Sequence, residues 1–151
     1  MPVSPARQMT KALKSELVPA LNAAGFSGTF PRFRRVSGAE IQFLSVQYDK
    51  PGTALILEFG SHPSGPKLTS WGEVVPEEKL ILEYISFESR ARLLARVNRV
   101  SLTDDWFQFG EFGEDVAAYR ELAASLAAML PQVEAWLATQ QAGPNVLTHE
   151  H

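Results

Sequence analysis

The chain contains no cysteine, and that absence removes thiolate nucleophiles, zinc ribbons, iron–sulfur ligation and disulfide frameworks together. Histidine is nearly as scarce. Two of the three, His149 and His151, fall in a terminal stretch where no pre-organised site is expected, and His62 has no histidine partner at a ligand-like spacing. No metal and no cofactor is therefore expected. The run Gly60, Ser61, His62, Pro63, Ser64, Gly65, Pro66, Lys67 has the outline of a phosphate loop, but Pro66 separates glycine from lysine and no Ser or Thr follows. A proline-rich run also lacks the series of backbone donors that cradles phosphate. Neither Ser61 nor Ser64 lies in a nucleophile-elbow pattern, so a hydrolytic triad is not expected.

Long apolar runs are missing too. The richest stretch, residues 117–130, is broken by Arg120, Glu121 and Ser125, well short of the roughly 18 apolar residues of a membrane span. The first residues lack the basic start and apolar run of a secretory signal, which predicts a cytoplasmic protein.

What is present suits a globular domain. The 151 residues are 45% hydrophobic and 21% charged, enough to bury a core without metal or disulfide. Residues 1–151 read as a single domain, with 1–4 and 143–151 flexible. The net charge of -3 is unevenly spread, with 13 basic and 9 acidic side chains in residues 1–103 against 1 and 8 in residues 104–151. Such polarity either complements a charged partner or is neutralised within the fold.

Ser4 before Pro5 reads as an N-cap and first-turn proline, and Met9, Leu13, Leu17 and Leu21 then recur every four residues. This predicts a helix to about Ala24, kinked or restarted near Val18 because Pro19 lacks a backbone donor. Gly25 is placed as a left-handed cap, with Phe26 folding back on the last turn. Residues 30–36 and 41–48 read as strands joined at Ser37, Gly38, Ala39 and Glu40, and Pro51 with Gly52 marks a type II turn. In the third strand, 53–59, Leu55, Leu57 and Phe59 alternate with Ala54, Ile56 and Glu58, the pattern of a central strand covered on both faces.

Residues 60–76 read as a long loop with Trp71 held against the body, whereas 80–87 fit both periodicities. A strand is predicted at 87–94, and a short aromatic one at Trp106, Phe107 and Phe109. The longest helix should span 114–141, with Tyr119, Leu126, Val133 and Leu137 in its apolar stripe and a kink at Pro131. The expected fold class is α+β: an N-terminal helix, an antiparallel sheet of about four to five strands, and a long kinked C-terminal helix packed on the sheet.

The visible carboxylate pairs, Glu77 with Glu78 and Asp104 with Asp105, point to opposite faces if extended, so neither converges on a substrate by default. Arginines are more distinctive. Arg32 and Arg34 share a face of one predicted strand, and Arg90 and Arg92 share a face of another, with Arg35, Arg96 and Arg99 close in sequence. If those strands are neighbours, four guanidinium groups gather near Phe30, Phe33 and Phe87 to bind phosphate, a carboxylate, nucleic acid or an acidic protein surface. Alternatively the same arginines pair with Glu40, Glu58, Glu88 and the acidic C-terminal segment. Nucleic acid is disfavoured by a pI of 5.6 and the lack of a binding motif.

The helix ending in Gly25 and Phe26, then Phe30, Phe33 and Arg34, then Arg90, Arg92 and Leu93, then Asp105, Trp106 and Phe107 resemble in order and spacing a bacterial family, domain of unknown function four-three-zero-four. The resemblance covers about residues 9–140. Phe107 stands where a second tryptophan is common in that family, and the last helix is unusually rich in alanine. The resemblance implies the same helix, strands, helix architecture and no established enzymatic activity. Arg34, Arg90, Arg92, Asp105 and Trp106 are the candidate anion- or partner-binding residues. The expected function is a non-enzymatic protein-interaction domain, immunity- or inhibitor-like, acting as a monomer or homodimer; the alternative is a small anionic-ligand binder or enzyme built on the arginines.

Overall fold

A computed structural model describes residues 3–97 and 105–148. Asp104, Arg99, His149 and His151 lie outside the described residues.

Helix α1 spans Pro5–Glu16 and α2 spans Val18–Ala23. The Ser4 hydroxyl caps α1 by accepting from the Arg7 N–H at 3.3 Å. The expected break falls at Leu17, which leaves Pro19 in the first turn of α2, where its missing N–H costs nothing. Gly25 adopts φ +95°, and Phe26 N–H donates to Leu21 O at 2.9 Å, closing the helix as its sequence implies.

Strands β1 (Ser27–Thr29), β2 (Arg32–Ser37), β3 (Glu40–Tyr48) and β4 (Ala54–Pro63) follow. The remaining strands are β5 (Lys67–Leu68), β6 (Val74–Val75), β7 (Arg90–Leu93), β8 (Phe107–Gln108) and β9 (Val146–Thr148). The main sheet is antiparallel and seven-stranded among the described residues, in the order β1-β2-β3-β4-β7-β9, with β8 also paired to β4. It is larger than the sequence suggests because β1 and β9 have only three residues each, too short for a period of two to register.

One sheet face carries the main core. Leu44, Val46, Leu55, Leu57, Phe59, Ala91 and Leu93 meet Met9 and Leu13 of α1 and the residues of two C-terminal helices, α3 (Val116–Ala128) and α4 (Leu130–Thr139). Phe59 and Trp136 pack edge to face with centroids 5.5 Å apart. The C-terminal helix breaks at Met129, again placing its proline, Pro131, in the first turn of a new helix. Arg35 ties these layers together: it donates to Gln42, to Ala24 O at 2.8 Å and to Glu134 at 2.6 Å, and lies over the Phe26 ring.

The opposite face carries a smaller apolar cluster. Ile41 and Phe43 pack there with Val75, Leu80, Leu82 and Ile85. As expected, β4 is buried on both faces from Ala54 to Gly60. Residues 80–87 form neither a long strand nor a helix but contain a 3-10 turn, Leu82–Tyr84, with another at Phe87–Ser89.

Three expectations need correction. The loop predicted at 60–76 starts later, because β3 is long enough to pair with β4 out to Pro63, and its remainder folds into the β5–β6 hairpin. Trp71 is not tucked in: it stands at the tip of that hairpin, 65% exposed. The tail is not loose throughout 143–151. Residues Val146–Thr148 form an edge strand on β7, anchored by the Asn145 side-chain amide, which donates to Leu94 O and Ala95 O.

Candidate functional site: the open sheet face and its hairpin

The register sorts the arginines. Arg32 pairs with Ser45, Ser45 with Glu58, and Glu58 with Arg92, so these four form one row across the sheet. Arg34, Phe43, Gly60 and Arg90 form the adjacent row. The arginine-bearing strands are not neighbours, since β3 and β4 lie between them, but all four side chains belong to the face opposite the helices. With strands about 4.8 Å apart, Arg32 and Arg92 start roughly 14 Å from each other.

Glu58 is the hub of this face. Its carboxylate accepts from Arg90 Nη1 at 2.9 Å and from Arg92 Nε at 3.3 Å. The side chains of Glu58 and Arg90 are only 10% and 12% exposed, and Arg92 is 29% exposed. Arg90 also lies over the Phe87 ring at 4.6 Å, and its buried Nε has no hydrogen-bond partner among the described residues. Gly60 makes the arrangement possible, because a Cβ there would come within 2.5 Å of Ser89 O and 3.0 Å of Arg90 Cγ. Across the face, Arg32 pairs with Glu83 at 2.7 Å. That hydrogen bond, outweighing partial desolvation, holds the Glu83 carboxyl below its ordinary range.

Arg32, Ser45, Gln47, Glu58, Glu83, Arg90 and Arg92 line a cleft of about 420 Å³. Arg34 lies outside it, donating to Glu77 O at 3.3 Å and stacking over Phe43. Asp105 is engaged elsewhere: it bridges backbone to backbone with Arg96, and its carboxylate accepts from Arg96 Nε at 2.7 Å. Trp106 follows it, half-buried, ahead of β8, whose partners Ala54 and Leu55 lie at the far end of β4 from Gly60. The structure thus brings Arg90 and Arg92 together at Glu58, whereas Arg34 and Asp105 take other partners and Trp106 is not among the residues lining the cleft. Phe87 joins the cluster as expected. Phe33 alternates onto the helix-covered face, and Phe30 packs against it.

Pairing within the fold therefore accounts for much of the charge, and partly with the expected set: Glu58 and, from the acidic C-terminal segment, Glu134 serve, with Glu83 as the unexpected partner. Glu58 takes two arginines and Glu134 takes Arg35, while Arg32 finds Glu83. Ser45, Gln47 and Glu83 escaped sequence reasoning. The first two are legible in hindsight as the polar positions of an alternating strand; Glu83 reaches the face through a 3-10 turn that no periodicity marks.

A second feature adjoins the cleft through the same turn. Tyr84, next to Glu83, packs its ring on Trp71 with centroids 6.5 Å apart. The hairpin stands outside the main sheet, with Val75 and Thr69 buried beneath it. Leu68 and Val74, paired across it, are 68% and 61% exposed. Another groove, of about 580 Å³ between α1 and α3, is bordered by Arg7, Lys11 and Arg120 and lies on the helical side.

Among the described residues, no group of three or more His, Asp or Glu is placed to hold a metal ion, and no helix is long and apolar enough to cross a membrane. These features define an α+β protein with one helix-covered sheet face and one partly open face bearing arginines and an apolar hairpin. The chain matches no family model, no curated protein and no solved structure.

Proposed function

We propose that this protein is a cytoplasmic, non-enzymatic protein-interaction domain of the immunity or inhibitor kind, which contacts its partner through the β5–β6 hairpin. The observation that carries this reading is the exposure of Leu68, Trp71 and Val74 within seven residues, each more than 60% accessible. Their combined exposed area is roughly 400 Å², on the scale of functional apolar patches. Tryptophan is among the side chains most often dominant at interfaces, because it loses much apolar surface at little conformational cost. The partner would present an apolar recess for the Trp71 indole. Within the cleft both carboxylates, Glu58 and Glu83, are committed to arginines, which favours binding there over acid–base catalysis. A general base would instead need a carboxylate free to take up a proton. The resemblance noted in the sequence implies no activity and carries no part of this reading.

The test compares immobilised wild-type protein with a Leu68→Ser/Val74→Ser variant in lysate of the source cell, washed at high salt. Apolar contact survives that wash, whereas surface charge attraction is screened. A stoichiometric protein retained by wild type and lost from the variant supports the reading. Equal retention by both removes it, and concentration-dependent sedimentation of the pure protein would make the partner a second copy.

A further inference from the structure

We propose that the cleft between Arg32 and Arg92 is a binding site for a small, hydroxyl-bearing monocarboxylate. The proposal is independent of the hairpin. Its volume of about 420 Å³ is within the range of small-molecule sites. Three guanidinium groups, of Arg32, Arg90 and Arg92, face two carboxylates, of Glu58 and Glu83, which gives the described residues lining the cleft one net positive charge. One negative charge balances the site; a phosphate dianion overshoots it.

The donors also fit a carboxylate. Among the described residues Arg92 engages Glu58 through Nε alone, which leaves both Nη groups of its fork for a ligand, and Arg32 uses only Nη1. A planar carboxylate accepts paired N–H groups from such a fork. Glu58 holds Arg90 and Arg92 in place beforehand, so little ordering remains for the ligand to impose. Ser45 and Gln47 supply the second half of the recognition. They project from β3 on the same face, line the cleft, and make no side-chain hydrogen bond to the protein among the described residues. A hydroxyl and an amide between cationic groups suit a ligand whose carboxylate is followed by a hydroxyl.

Sodium lactate is the probe. Titrated at constant ionic strength against sodium chloride, it should produce saturable nitrogen–proton NMR shifts at Ser45, Gln47 and the Arg92 side chain, with a dissociation constant near ~1 mM. Ser45→Ala and Gln47→Ala should each weaken binding at least about fivefold with an unchanged unfolding curve, since neither side chain holds the fold. Arg92→Gln should weaken it more than about tenfold. The proposal is overturned by shifts that do not saturate, by chloride reproducing them, by inorganic phosphate binding more tightly than lactate, or by unaltered binding in both β3 variants. Because those variants leave the hairpin intact, failure here is distinguishable from failure of the interaction reading.

Discussion

Glu58→Ala isolates the energetics of the open face. Removing this carboxylate leaves Arg90, 12% exposed, with Nη1 and Nε both lacking a side-chain acceptor, and Arg92 two residues away on the same face. Breaking a buried ion pair by deleting one partner costs about 3–5 kcal/mol, because the surviving charge stays in a poorly solvated place. Arg92 at 29% exposure can turn towards water, so the lower end, about 3 kcal/mol, applies. With a urea dependence near ~2 kcal/mol per molar, the denaturation midpoint should fall by about 1.5 M. In a thermal scan the same loss is roughly 6–12 °C. Glu58→Met combined with Arg90→Met should recover most of the loss, since apolar side chains of similar size substitute well for a buried pair. A loss below about 0.5 kcal/mol for Glu58→Ala, or no recovery in the double variant, would refute a desolvated Glu58 cluster.

Two further perturbations follow from the structure. Arg35→Met removes the donors to Gln42, Ala24 O and Glu134 at once and should destabilise by about 2–3 kcal/mol in urea denaturation, with Arg35→Lys failing to restore it because an ammonium cannot span three acceptors in that plane. Asp49 is partly desolvated, which works against ionisation, but its carboxylate accepts from Thr53 N–H, Ala54 N–H and the Thr53 hydroxyl and is held below its ordinary range. Its contribution to stability is therefore complete above the unfolded-state value of ~3.9 and disappears as pH falls through the lower folded value. Asp49→Asn should flatten that part of the acid-unfolding profile; an unchanged profile would count against the three hydrogen bonds.

Much of the architecture was legible because its signals are local. The cap at Gly25, the burial of β4 on both faces and the helix breaks beside Pro19 and Pro131 each rest on a few adjacent residues. What escaped depends on distant pairing. Residues 146–148 carry too short a pattern to declare themselves a strand, and become one because β7 offers an edge and Asn145 an anchor. The arginine face was half legible: alternation placed Arg32 with Arg34 and Arg90 with Arg92, but nothing local reveals that β3 and β4 separate them or that Glu83 arrives from a 3-10 turn. Asp105, conspicuous beside Trp106, binds Arg96 instead of joining the cluster.

The most direct test of the account is a photo-crosslinking residue placed at position 71 and, as a control, at the exposed polar position of Glu121 on α3, in cells of the source organism. The account predicts one dominant crosslinked protein from position 71 that is absent from position 121 and lost when Leu68 and Val74 are changed to serine. Equal labelling from both positions, or no crosslink from position 71 while the protein is folded and abundant, would contradict it.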